Sequence, residues 1–247
     1  RIAEAAMNAL YGTRLLAVLA FSLPGAVTIA QDKPVTHKPV ARKVVARKLP
    51  RVLLVGDTSL SNHFDNAQKA LKGRAVIVRS PLGYLSSGAA LSRIGELLTK
   101  QKWDIVCFNF GLSDLMHRDP KSKRIRAMSP RAGGVPVTTP EAYAKNLERL
   151  TAHFNKASDK VVWISTLPLH PRQRSGAIDA NSIAKYNALA LATMRRHSVP
   201  VLDLHAQIES LLAKAKNDRA KERLHHQLFK GDLSAPLVAR IAEPAKR

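Results

Sequence analysis

The chain has 247 residues, 45% of them hydrophobic and only 5% aromatic, enough for one sizeable core filled mainly by Leu, Val, Ile and Ala. Its 40 Lys and Arg stand against 18 Asp and Glu, a net charge of +22, which points to acidic partners or a solvated basic surface and is silent on fold. The single cysteine, Cys107, excludes an internal disulfide and a cysteine-rich metal site, and in the apolar run "DIVCFNF" it reads as a small buried hydrophobe.

In chain order, Met7 opens "MNALYGTRLLAVLAFSLPGAVTIAQDKP". Arg14, the apolar run Leu15 to Leu23, the Pro24-Gly25 break and the small residues Thr28 and Ala30 follow the order of a secretory signal peptide cleaved after Ala30. Residues 1–30 are therefore expected to be a signal peptide, with residues 1–6 ahead of the first methionine read as untranslated upstream sequence; an uncleaved anchor is the alternative. The run is too short and too broken for a good membrane span, and no later run is long enough. The mature protein is expected to be exported, periplasmic or secreted, without a transmembrane span. Residues 31–50, "QDKPVTHKPVARKVVARKLP", combine prolines, basic residues and a doubled "VARK". They cannot bury a core and read as a flexible basic linker, a spacer or a tether to an anionic envelope surface.

From Arg51 the pattern becomes short β-branched runs alternating with helical spacing. "RVLLVGD", "AVIVRS", "WDIVCFNF", "KVVWIST" and "VPVLDL" have strand length, and their continuous apolar character predicts strands buried on both faces of a parallel sheet. Between them, "NAQKALKG", "ALSRIGELLTKQ", "PEAYAKNLERLTAHFNKA" and "ANSIAKYNALALATMRRHS" read as helices. In the third, Ala142, Leu147, Leu150 and Phe154 share a side, and Thr139-Pro140 supplies N-cap and first-turn proline. The alternation predicts one doubly wound α/β domain over residues 51–247, with a five-stranded parallel sheet. Residues 117–137, "HRDPKSKRIRAMSPRAGGVPV", read as a long basic loop beside the exit of the third strand.

In such sheets ligands bind beyond the carboxyl ends of the strands, where strand order reverses. Thr58 and Ser59 follow the first run, and Gly111-Leu112-Ser113-Asp114 follows the third. If strands one and three are neighbours flanking the reversal, these turns face each other across a crevice. Near the C-terminus "KERLHHQLFKGD" places Glu222 three residues before His225, followed by His226. Hydroxyl, imidazole and carboxylate are the parts of a nucleophile–base–orienter relay. Asp57 and Asp114 read as turn braces through backbone N–H groups. His63, His117, His170 and His205 read as surface or core histidines, and no metal-ligand cluster or phosphate loop is present in the sequence.

These motifs resemble the SGNH, or GDSL-type, hydrolases, whose blocks are Gly-Asp-Ser after strand one, a second-block glycine, Gly-x-Asn-Asp after strand three and Asp-x-x-His near the end. Here they read "GDTS" (56–59), "GLSD" (111–114) and "ERLH" (222–225), and the resemblance spans about residues 51–243. It implies a flavodoxin-like three-layer α/β/α sandwich and hydrolysis of esters, often acetyl groups on carbohydrates, with no cofactor. Carried over, Thr58 stands at the nucleophile, His225 at the base and Glu222 at the orienting carboxylate. The oxyanion hole falls to Thr58, Ser113 and a glycine, Gly88 or Gly83. His226 is the alternative base, with family-like spacing to Gly231 but Arg223 at the carboxylate position; His225 is preferred because a neighbouring cation depresses basicity. The departures weaken the site: the Thr58 methyl stiffens the nucleophile, and Ser113 is a shorter donor than asparagine.

Three functions compete at this level. One is an exported esterase on a small ester or O-acylated glycan, slow or degenerate; another is a non-catalytic descendant binding an anionic polysaccharide or envelope component. Nucleic-acid binding rests on charge alone, without a recognition motif or aromatic platform, and export counts against it.

Overall fold

Five apolar runs in this sequence carry hydrophobic residues at both even and odd positions, so each strand can bury both faces only if helices cover the sheet on both sides. The computed structural model, which describes residues 48–57, 60–83, 85–122, 124–169, 176–228 and 234–243, has that arrangement. Strands β1 (Arg51–Val55), β2 (Val76–Arg79), β3 (Trp103–Phe108), β6 (Ser158–Ile164) and β7 (Val201–Leu202) form one sheet in the order β2-β1-β3-β6-β7. Every pairing is parallel, with Val52 opposite both Ile77 and Ile105, Val106 opposite Val161, and Trp163 opposite Val201. The chain winds outward from β1 to β2, then returns to the other side of β1 for β3, so strand order reverses between β1 and β3. The expectation of a five-stranded parallel sheet is met.

Nine α-helices lie among the described residues: α1 (Ser61–Ala70), α2 (Ser87–Ser92), α3 (Ile94–Leu98), α4 (Leu112–Leu115), α5 (Pro140–Ala157), α6 (Asn181–Arg196), α7 (Leu204–Ala213), α8 (Asp218–Gln227) and α9 (Ser234–Ala242). On one face of the sheet, Leu53, Val55, Val106, Phe108, Val161 and Trp163 pack with Leu97, Leu147, Leu150, Phe154, Tyr186 and Met194 from α3, α5 and α6. On the other, Val52, Leu54, Ile105, Cys107, Val162 and Ile164 pack with Phe64, Ile208, Leu212, Leu228, Leu237 and Ile241. The two-residue repeat of each strand thus feeds two separate cores, one per face. Cys107 is buried in the second, as its apolar neighbours imply.

Several local expectations need correction. The stretch 90–101 is two short helices, because Arg93 leaves helical geometry (φ −116°, ψ 26°) between α2 and α3. In α5 the N-cap is as read, with the Thr139 hydroxyl accepting from Ala142 N–H and Pro140 in the first turn, but Tyr143 is buried and Ala142 exposed. Residues 117–137 are more ordered than a loop. His117–Arg118 (β4) pairs antiparallel with Val135–Pro136 (β5), and a 3-10 turn at Pro130–Ala132 lies between them. Gly134 is required by space there, since a Cβ would sit 2.4 Å from the Met128 carbonyl oxygen.

The expected signal peptide and almost all of the basic linker lie outside the described residues. Among the described residues no helix is long and apolar enough to cross a membrane.

Candidate active site

The site is built from what the carboxyl ends of the parallel strands deliver to one edge of the sheet. After β1, Asp57 is fully buried and its carboxylate accepts a hydrogen bond from Leu112 N–H at 3.0 Å. After β3, Asp114 is fully buried and accepts from Ser87 N–H at 2.9 and 3.0 Å and from the Ser87 hydroxyl at 2.6 Å. Each aspartate is a brace, as the sequence suggested, and among the described residues each reaches across to another turn. Asp57 ties the end of β1 to the end of β3, and Asp114 ties the end of β3 to the start of α2. Burial pushes the Asp114 carboxyl up to about 6, against the opposing pull of the Ser87 and Thr138 hydrogen bonds, with the nearby Asp57 charge adding to the rise.

The turn at Gly111 is fixed by contact. A Cβ on Gly111 would lie 2.0 Å from Thr166 Oγ1, so no larger residue fits without displacing the end of β6. Asn109 Nδ2 donates to Ile164 O at 2.9 Å and to Thr166 Oγ1 at 3.2 Å. Tyr143 donates its hydroxyl to Phe110 O, and Tyr186 donates to Thr138 O; burial pushes the Tyr186 phenol up to about 12, so both remain donors at physiological pH. Ser113, the shorter replacement for an oxyanion asparagine, is half-buried on α4 within this braced turn.

Of the two glycines left open by the sequence, Gly88 is the second residue of α2, next to the Ser87 held by Asp114. A Cβ there would meet Asn146 Nδ2 at 3.5 Å, an ordinary contact, so space does not demand glycine. Gly83 is a conformational glycine, with φ +67° in the turn before α2.

The imidazole and carboxylate candidates sit on α8, where Asn217 caps the helix by accepting from Ala220 N–H at 2.8 Å. His225 is 5% exposed, while Glu222, three positions earlier on the same helical side, is exposed. Both line a cleft of about 790 Å³ whose other walls are Pro168 and Leu169 after β6, the first turn of α6, and His205 and Glu209 on α7. His226 is exposed and does not line it. Thr58 and Ser59 lie outside the described residues, as do Gly231 and His170. The described candidates thus fall into two groups on one sheet edge: Gly88 with Ser113, joined through Asp114, and Glu222 with His225 in the cleft. Neither Ser113 nor Gly88 lines that cleft.

His205 was read as surface or core, yet it faces the same cleft as His225. Its Nδ1 lies 2.9 Å from Thr166 O, and a carbonyl only accepts, so Nδ1 carries the proton and Nε2 of the neutral ring is left as acceptor. Its position directly after β7 was the available signal, by the rule that ligands meet strand ends. Among the described residues no group of three or more His, Cys, Asp or Glu could hold a metal ion.

No family model and no curated protein sequence matches the chain. Solved structures do. A lipase/acylhydrolase from Enterococcus faecalis superposes with a TM-score of 0.58 at 17% identity, covering 81% of this chain and all of the other. The acetylxylan esterase Axe2 from Geobacillus stearothermophilus gives 0.54 at 13% identity, covering 80% of this chain and 96% of its own. Catalytic mutants of Axe2 replace a serine, an aspartate and a histidine, the aspartate three positions ahead of the histidine. With the sheet order, the reversal at β1/β3 and the braced turns, these superpositions show that the chain has the SGNH/GDSL-type hydrolase fold.

Proposed function

We propose that the chain is an exported ester hydrolase acting on an O-acylated carbohydrate or a similar small ester, with turnover weakened by its substitutions. The observation that carries the reading is the cleft at the carboxyl edge of the sheet, where the buried His225 and the exposed Glu222 stand three positions apart on one helix. The same spacing separates the aspartate and histidine replaced in catalytic mutants of Axe2. Export is supported by the order of charge, apolar run and small residues between Met7 and Ala30.

The chemistry is acyl transfer. The Thr58 hydroxyl attacks the acyl carbonyl while His225 takes its proton, and Glu222 holds the imidazole in the productive tautomer. The oxyanion is met by Ser113 and by the backbone N–H groups of Thr58 and Gly88. The His225 proton then passes to the departing sugar alkoxide. Water, deprotonated by the same imidazole, releases the acyl group as a carboxylic acid and restores Thr58. Two features slow this relay: the Thr58 methyl limits rotation of the hydroxyl, and Ser113 supplies a shorter donor, a loss worth about 10²–10³ in turnover where comparable donors are removed.

The test is hydrolysis of a chromogenic acetyl ester by the parent and by Thr58→Ser with Ser113→Asn. The double variant is expected to exceed the parent, and His225→Ala is expected to abolish the gain. Absence of turnover in both across short acyl esters would replace this reading with a non-catalytic protein that binds an anionic polysaccharide or envelope component.

A further inference from the structure

Beside the cleft that holds His225 lies a second pocket of about 470 Å³, between the β4–β5 hairpin and the start of α6. Its walls include Ser129, Arg131, Gly176, Asp179 and Asn181. The two cavities share Ala180 and Asn181 as lining residues and so adjoin one another.

Three observations define what it would hold. The first is charge: residues 117–137 contain six basic residues and one acidic residue, Asp119. Lys121, Arg124, Arg126 and Arg131 are exposed, and none forms an ion pair among the described residues. The second is rigidity. Arg131 sits on a 3-10 turn capped by Ser129, whose hydroxyl accepts from Arg131 N–H, and the turn closes at Gly133 with φ +89°. The hairpin is tied to the far wall by Met116 bridging Ile178 and by His117 N–H donating to Ala177 O at 2.7 Å. It is tied to the braced turn by Thr138 N–H donating to Asp114 O at 3.0 Å. The backbone that carries Arg131 is therefore a fixed frame, so binding does not have to order it. The third is the mixture of groups. Asp179 is the acidic side chain of the pocket, and its oxygens accept from Asn181 N–H and the Ser182 hydroxyl, leaving lone pairs for hydroxyl donors. A guanidinium, a carboxylate, an amide and a hydroxyl, with no aromatic ring among the described lining residues, suit a ligand that is both anionic and polyhydroxylated.

We infer that this pocket is a subsite for an acidic sugar, Arg131 binding the anionic substituent while the ester-bearing neighbour occupies the adjoining cleft. The role of the pocket as a subsite rests on the ester-hydrolase reading, whereas binding itself needs no turnover.

The experiment is calorimetric titration of the full chain with an oligogalacturonate, a neutral xylo-oligosaccharide of equal length, and poly-glutamate. The acidic oligosaccharide is expected to bind about tenfold more tightly than the neutral one, the scale of one charge-assisted hydrogen bond. Arg131→Gln should remove that preference, Arg131→Lys should keep part of it, and unchanged circular dichroism would confirm folding. Changing Lys33, Lys38, Lys43 and Lys48 to Gln should leave the preference intact. The inference is overturned if Arg131→Gln retains the preference, if the four-lysine variant loses it, or if poly-glutamate competes as well as the sugar. Acidic-sugar preference without ester turnover would sink the hydrolase reading and keep the binding site. Turnover of a neutral ester without that preference would do the reverse.

Discussion

Asp114 is expected to make the folded chain less stable as pH rises from about 4 to about 7, and Asp114→Asn is expected to remove that dependence. The carboxyl is fully buried and raised to about 6, chiefly by burial, whereas an aspartate in the unfolded chain titrates near about 3.9. Between those values the folded state holds a proton that the unfolded state has released, so protonation favours folding at low pH. The contribution is complete below the unfolded value and is lost as pH passes the folded one. The gap corresponds to about 3 kcal/mol. Asparagine keeps an acceptor for Ser87 N–H and hydroxyl, and its amide can donate to the Thr138 hydroxyl, so the variant should fold. Urea unfolding followed by fluorescence of the buried Trp103 and Trp163 gives the stability of both proteins at each pH. The stability of the parent minus that of the variant should fall by about 2 kcal/mol from pH 4 to pH 7, most of the full gap. A constant difference, or one that grows with pH, would mean that the hydrogen bonds from Ser87 and Thr138 outweigh burial and that the reasoning is wrong.

Three further outcomes follow from individual contacts. Gly111→Ala should destabilise the chain by at least about 1–3 kcal/mol, because its Cβ would meet Thr166 Oγ1 at 2.0 Å, and Thr166→Ala should recover part of the loss in the urea midpoint. Cys107, whose thiol burial pushes up to about 12, should resist a water-soluble disulfide reagent at pH 8 in the native state and react at once in urea. In the Thr58→Ser, Ser113→Asn background, His226→Ala should leave ester turnover within about twofold while His225→Ala removes it, since only His225 lines the cleft; the opposite pattern would make His226 the base.

The sheet was legible because its signal is local: five apolar runs, each readable from its own residues, and a reversal that places β1 beside β3. The braces were half legible. Aspartates beside strand ends suggested turn hydrogen bonds, but among the described residues Leu112 donates to Asp57 and Ser87 to Asp114 from 55 and 27 positions away. No sequence window joins them. The hairpin at 117–137 was read as loop because two-residue strands carry no periodicity, and what holds it is pairing with a segment some 60 residues on, at Ala177 and Ile178. His205 was passed over because it has no counterpart in the resembling family, although the strand-end rule alone would have nominated it.

The choice between His225 and His226 shows how much a polar helix still encodes. Spacing to Gly231 favours His226, but Arg223 at its carboxylate position would depress its basicity, so the sequence prefers His225 on charge rather than on position. Helical phase separates them. Leu224 and Leu228 both pack against the core under α8 and define its inner side. At 3.6 residues per turn, His225 projects about 80° from the middle of that side and His226 about 180°, so one imidazole meets the rim of the core and the other is turned to solvent. The observed burial agrees, with His225 at 5% and His226 exposed. The phase rests on two leucines in a stretch otherwise rich in charge, which is why it is easily passed over. It is nonetheless the physical reason that His225 faces the cleft, and it would hold even with Arg223 absent.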